Sequence, residues 1–305
     1  MAKQINFAQH NINDEFYTEY DPICDFFSEV LLNHPDYFTD KNIICPCDSL
    51  NSNFPKYFTD NFDKLKWSTL TCIQYDGNKQ LGKLFGGEAH GMIHKYVNGK
   101  FISTDQLSGS GDFRSSEVIT NINMSDIIIT NPPFSLFVDF MDICISSGKE
   151  FFVVGTQMKT TSPKIFSYFR NKIIAAYDFT DEYFITPNGT DYKICNACWW
   201  SNVRISKPKF TQRKYSDLTS DDSIASFYKN RYDVDIKKTG FPYIDGTDCI
   251  CIDNCNWIPS DYIGKMAVPM TICIRNMDRF IIIDKLEHPT INGISVFKRT
   301  VIELR

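Results

Sequence analysis

The stretch Ser125-Asp126-Ile127-Ile128-Ile129-Thr130-Asn131-Pro132-Pro133-Phe134-Ser135-Leu136-Phe137 leaves the chain few ways to fold. Ile127 to Thr130 are all apolar or β-branched, the pattern of a strand buried at the centre of a parallel sheet. Pro132 drives Asn131 out of the helical region, and two consecutive prolines fix two φ angles. A buried strand therefore ends in a stiff polar corner before a helix starts. In open α/β sheets that end of a strand is where ligands bind. The corner holds one amide side chain, the carbonyls around it and the face of Phe134. A planar amino group on a stackable ring fits this set: the Asn131 side-chain oxygen and the Pro132 carbonyl each accept one N–H, and Phe134 stacks. An ordinary proline turn after a strand would use the same residues, so the surrounding chain decides between the two.

That chain reads as alternating strands and helices. Residues 41–48 form a first strand and its exit. Ser49 to Asn53 is a polar turn, and Phe54, Tyr57, Phe58, Asn61 and Phe62 have helical spacing. This is the opening unit of a nucleotide-binding sheet, without the glycine-rich turn that usually lets a cofactor approach the backbone. Asp48, with Ser52 and Asn53 near the helix start, is placed to hydrogen-bond an amino-acid moiety instead. Residues 67–75 read as strand two, ending at Asp76-Gly77. An acidic residue there binds ribose hydroxyls in this fold class, and an Asp-Gly hairpin turn is the alternative. Residues 78–104 form a β-rich insertion with a hairpin at Asn98-Gly99. His90 and His94 are four apart, but Gly86, Gly87 and Gly91 argue against a helix, so solvated histidines are expected. In Gly111-Asp112-Phe113, the carboxylate can accept an exocyclic N–H while the ring stacks; a helix cap with a core Phe is the alternative. Beyond the corner come an amphipathic helix from Phe137, strand five at 150–155, a helix from Pro163, and two last strands at 173–177 and 194–200.

At the front, Thr18 is a good cap for a helix carrying Ile23, Phe26, Phe27, Val30 and Leu31. The 305 residues suit a core domain with a smaller one, and 43% hydrophobic residues suffice for a sizeable core. The net charge of −5 excludes a uniformly basic coat. From Val203 on, sixteen Lys+Arg face thirteen Asp+Glu, a mildly basic tail on an acidic front. Arg204, Lys207, Lys209, Arg213 and Lys214 form a run with Phe210 and Tyr215, either a solvated face or a grip on phosphates. No run of 18 apolar residues exists, so no membrane span is expected. Eleven scattered cysteines fit reduced thiols in the cytoplasm. Cys195-x-x-Cys198 and Cys249-x-Cys251 with Cys255 do not form paired knuckles, so no structural metal is expected.

Several of these segments, taken together and in this order, resemble the EcoRI-type adenine-specific DNA methyltransferases. They are Asp14-Glu15-Phe16-Tyr17-Thr18, Cys47-Asp48 with Ser52-Asn53-Phe54 and Tyr57-Phe58, Gly109 to Glu117, and Thr130 to Phe137. Patches at Cys198-Trp199 and Met266 to Thr271 extend the similarity over residues 14 to about 280. The Gly-Asp-Phe-Arg-Ser-Ser-Glu stretch is the most specific part, and the missing glycine-rich turn fits this branch. The resemblance implies a Rossmann-like S-adenosylmethionine-dependent fold, α/β with a mostly parallel seven-stranded sheet. It implies a catalytic domain at 1–202 and a smaller α+β target-recognition region at 203–305. The activity implied is methyl transfer from S-adenosylmethionine to N6 of an adenine flipped out of double-stranded DNA. Asn131, Pro132, Pro133 and Phe134 would be catalytic. Phe16, Tyr17, Thr18, Asp48, Asp76, Asp112 and Phe113 would bind cofactor. The 178–193 loop, with Tyr183 and Tyr192, would face the base, and the basic run would hold DNA. A DNA-associated cytoplasmic enzyme, with a cognate restriction endonuclease as a functional partner, follows. The loop is short and the tail offers no firm match, so the recognised DNA sequence does not carry over. Methylation of RNA adenine or protein glutamine, or a silent DNA-binding protein on the same fold, are the rival readings.

Overall fold

A computed structural model describes residues 17–76, 90–179, 183–185, 191–193, 196–206, 213–275 and 278–305. The chain opens with β1 (Tyr17–Thr18), α1 (Tyr20–Asn33), β2 (Asn42–Cys45), α2 (Asn53–Asp60) and β3 (Thr69–Gln74). A hairpin of β4 (Met92–Val97) and β5 (Lys100–Gln106) follows, then α3 (Ser116–Met124), β6 (Ile127–Thr130), α4 (Phe137–Ser147) and β7 (Glu150–Thr156). Further on come α5 (Pro163–Arg170), β8 (Ala175–Asp178), β9 (Tyr183–Ile185), β10 (Asp191–Lys193) and β11 (Ala197–Ser201). The main sheet runs β5–β4–β3–β2–β6–β7–β11–β8. It has eight strands and is mixed, which corrects the expected mostly parallel seven. β2 is parallel to β3 and β6, and β6 to β7. The pairs β3–β4, β4–β5 and β7–β11 are antiparallel. The departure has two local causes. The hairpin joins the sheet: Asn98 and Gly99, at φ 47° and 78°, make the tight turn between β4 and β5, and β4 pairs with β3. β11 then slots between β7 and β8 against the parallel direction.

His94, expected in solvent, is 3% exposed on β4. Its Nδ1 lies 2.8 Å from the Thr104 hydroxyl on β5, and burial pushes its pKa down. Thr18 does not cap α1; Glu19 holds that position.

The chain divides into two compact units, 1–156 with 178–205, and 157–177 with 206–305. In the first, α1 buries Ile23, Phe26, Phe27 and Val30, and α2 buries Phe54, Tyr57 and Phe58. Each such side chain contributes about 1.5–3 kcal/mol by leaving water. Phe26 stacks on Trp199 of β11 at 4.3 Å and 8°. All four residues of β6 are buried. β6 lies beside β2 in the register Ile43↔Ile127 and Ile44↔Ile128, so the residues that leave the two strands emerge side by side.

The second unit contains the sheet β12 (Ile250–Cys251), β13 (Met266–Pro269), β17 (Arg299–Leu304) and β14 (Phe280–Leu286), in that spatial order. A small hairpin, β15 (Thr290–Ile291) with β16 (Ile294–Ser295), stands apart from it. α5 is anchored to β14 by Arg170, which donates to the Ile283 carbonyl. Tyr228 and Tyr232 of α6 (Asp222–Tyr232) are fully buried. Arg299 pairs with Asp253, their side chains 4% and 6% exposed.

Candidate active site

Asp48 follows the end of β2, and Asn131 is the first residue past β6. The register of the two strands brings them together. Thr130 Oγ1 donates to Asp48 Oδ2 at 2.6 Å, and Ser52 Oγ donates to Oδ1 at 2.9 Å. The backbone N–H of Asn131 faces the same carboxylate and favours its ionised form. Asp48 is 4% exposed. Burial pushes its carboxyl up from 3.8 to about 7, against the downward pull of these three donors. The turn that lacks glycine is thus filled by a carboxylate that locks two strand ends.

The Asn131 side chain is fixed from the other side. Its Nδ2 donates to Thr18 Oγ1 at 3.2 Å, and Asn53 Nδ2 donates to the Thr18 carbonyl at 2.8 Å. Thr18 is 3% exposed. Its strand β1 pairs with β9, Tyr17 opposite Ile185 and Thr18 opposite Phe184, and β10 pairs with the far side of β9. Tyr183 and Tyr192 therefore belong to this small sheet beside the corner. Buried Phe184 meets Phe134 edge-on at 6.2 Å and stacks on Phe179 at 5.3 Å. Phe179 stacks in turn on Trp199. An aromatic chain thus ties Phe134 to the core, while Pro132 is buried and Pro133 half-buried.

The loop that carries Asp112 meets Asp76 at the end of β3. The Asp76 N–H donates to the Ser110 carbonyl at 2.9 Å. Gly111 stands at φ +80°, where a Cβ would lie 2.8 Å from the Gln74 carbonyl oxygen, so only glycine lets this loop touch β3. Glu117 holds the loop from α3, accepting from the Ser108 N–H and hydroxyl and from the Gly109 N–H. Ser115, not Asp112, caps α3, accepting from the Val118 N–H. Asp112 instead accepts from the Arg114 backbone N–H, Nε and Nη2 at 2.9, 2.9 and 2.7 Å. Phe113 is 4% exposed and edge-on to Phe140, as in the core reading of that pair.

Phe16, Lys207 and Lys209 lie outside the described residues, as does Cys195 of the Cys-x-x-Cys pair. Arg204 is exposed in the first unit, and Arg213 and Lys214 are exposed in the second. Arg213 is engaged, donating to Asp221 Oδ2 and the Asp217 carbonyl. Thr130 and Arg114 escaped the sequence reading. The signal for Thr130 was there: a lone hydroxyl ends a run of isoleucines. Arg114 gave none, because its two-residue reach back to Asp112 depends on the loop's curvature.

The α/β sheet, with an Asn-Pro-Pro-Phe turn where β2 and β6 end side by side, has the architecture of a methyltransferase. The chain matches the family described as "Adenine-specific methyltransferase EcoRI" over residues 4–302, and it belongs to that family of adenine-specific DNA methyltransferases. It is 32% identical to the Type II methyltransferase M.EcoRI of Escherichia coli, with 88% of this chain and 84% of that protein covered. It is 30% identical to M.MgeORF184P of Mycoplasma genitalium and 29% to M.MpnI of Mycoplasma pneumoniae, both Type II methyltransferases, with 93% of this chain and 86% of each relative covered. No solved structure matches the chain. No described helix is long and apolar enough to cross a membrane.

Proposed function

We propose that this enzyme methylates N6 of an adenine flipped out of duplex DNA, with the corner Asn131–Phe134 as its reaction site. The observation that carries the reading is the fixation of the corner from both sides, Thr130 on Asp48 and the Asn131 side chain on Thr18. Flipping the base costs a few kcal/mol and brings its amino group out of the stack. The Asn131 Oδ1 and Pro132 carbonyl accept its two N–H groups and draw N6 towards tetrahedral character, which exposes the lone pair. Phe134, held edge-on by Phe184, stacks on the ring. The N6–CH3 bond would form as the S–CH3 bond breaks, and the proton N6 must then lose passes to solvent without a strong base, because the methylated nitrogen is acidic; no side-chain nucleophile is assigned.

The donor set fits S-adenosylmethionine. The carboxylates of Asp76 and Asp112, on segments that meet at the end of β3, suit a ribose diol and a purine amino group, and the polar Tyr17–Thr18 segment with Asn53 suits an amino-acid end. S-adenosylmethionine, when bound, supplies the methyl on its sulfonium sulfur. Residues 1–202 would be catalytic and 203–305 would recognise the target, with Tyr183 and Tyr192 lining the base side. A cognate restriction endonuclease and a cytoplasmic setting go with this reading.

Asn131→Ala should abolish tritium transfer from labelled S-adenosylmethionine into DNA while leaving cofactor binding, followed by calorimetry, largely intact. Full activity in that variant, or wild-type transfer into RNA or protein and not DNA, refutes the reading. Arg204 and Lys214, together with Lys207 and Lys209, would grip phosphates. Neutralising them should weaken binding to every DNA sequence alike and flatten its salt dependence; a loss confined to one sequence excludes that role.

A further inference from the structure

We infer that Asp48 is a positioning residue for methyl transfer, acting through the Asn131 peptide and Thr130 hydroxyl and not by touching cofactor or base. This rests on the reaction site proposed above, but it assigns Asp48 a different part from a cofactor ligand. Both carboxylate oxygens are taken by protein donors: Oδ1 by Ser52 at 2.9 Å and Oδ2 by Thr130 at 2.6 Å. The group is 4% exposed and meets protein donors on both oxygens, so it is turned to the strand ends and not to a ligand. The Thr130 bond, with the Asn131 N–H facing the same carboxylate, sets where the next amide and the Pro132 carbonyl point. A shift of these acceptors by about 1 Å costs on the order of a hundredfold in rate.

The carboxylate does this only while ionised. The hydroxyls of Ser52 and Thr130 can rotate to accept a proton from a neutral Asp48, but the Asn131 N–H can only donate. Protonation therefore weakens the bond that holds the corner. Burial places that event at about pH 7. The titratable groups facing Asp48 are the thiols of Cys45 and Cys47, both driven far up by burial and by Asp48 itself, so neither supplies a compensating charge. Cys72 faces Cys45, and Asp112 and Cys144 face Cys47. From β6 and α2 only hydroxyl and peptide donors arrive.

The test compares kcat against pH for the full chain and its variants on a duplex that the wild-type enzyme methylates. In the wild type, kcat should fall as pH drops through about 7. Asp48→Asn keeps the shape and loses one acceptor. It should lower kcat by at least about tenfold, leave the affinity for S-adenosylmethionine within about threefold, and abolish the acid limb. Thr130→Val covers the case in which Asp48→Asn does not fold. It removes one donor that holds the carboxyl down, so the acid limb should move to higher pH. A contact with cofactor would instead show as lost S-adenosylmethionine affinity in Asp48→Asn at unchanged kcat, which overturns the inference. So does an acid limb that persists in Asp48→Asn or stays in place in Thr130→Val. Asn131→Ala separates the two readings: if it is inactive while Asp48→Asn is normal, the reaction site stands and the positioning role falls.

Discussion

Asp48 in the first unit and Asp253 in the second are both carboxylates sunk beneath the surface, and they are held by different chemistry. Asp253 has a counter-ion, Arg299, and the pair carries an uncompensated remainder: Asp253 Oδ2 and Arg299 Nε are buried without a hydrogen-bond partner. Asp48 has only neutral donors, and every contact it makes reaches the corner or the helix beside it. A buried ion pair fixes a fold. A buried carboxylate held by hydroxyls and a peptide sits near its ionisation point and can change state. The difference matches position, one beside the sheet of the second unit, the other just past the end of β2.

Three measurements break or sharpen that contrast. The largest effect belongs to Arg299→Met, which strands the Asp253 charge. Urea unfolding should show a loss of about 3–5 kcal/mol, and a loss below about 1 kcal/mol would mean that Asp253 is solvated. Asp48 acts next, in the opposite sense with pH. Its folded-state carboxyl keeps its proton up to about 7, whereas the unfolded chain loses it near 3.8. The stabilisation is full below the lower value and is lost as pH rises through the upper one, a change of a few kcal/mol at most. The stability of Asp48→Asn should lack that decline, and parallel curves for the two proteins would refute the shift. Smallest is the double variant Asp253→Leu with Arg299→Met. Removing both partners also removes the two unsatisfied atoms, so stability should stay within about 1 kcal/mol of wild type or rise. A loss as large as that of the single variant would show that the pair does more than balance itself.

How far the sequence reached follows from the range of each interaction. β6 and its corner were legible because three isoleucines, a threonine and two prolines act on their neighbours alone. The Asn98-Gly99 turn was legible for the same reason, since both positions need positive φ. Where the resulting hairpin lands was not legible, because docking β4 on β3 depends on an edge that only the folded sheet offers. The place of β11 between β7 and β8 is likewise a choice among partners distant in sequence. His94 was misjudged because Gly91 argued against a helix, and the same glycine sits where a Cβ would meet the Gly111 Cα at 2.7 Å, packing the start of β4 inward. At the site, residue types were legible and their pairings were not. Asp48 and Thr130 meet only through the β2–β6 register.

The pairing of Tyr17 with Ile185 joins the two ends of the first unit across almost its whole length. Closing so long a loop is slow, and it comes after the local contacts are made. A chain still growing on a ribosome can complete β6 and its prolines well before it has made the strand that clamps Thr18 against Asn131. The amide at the heart of the corner is therefore among the last groups to be set, once synthesis has passed the far wall of that small sheet.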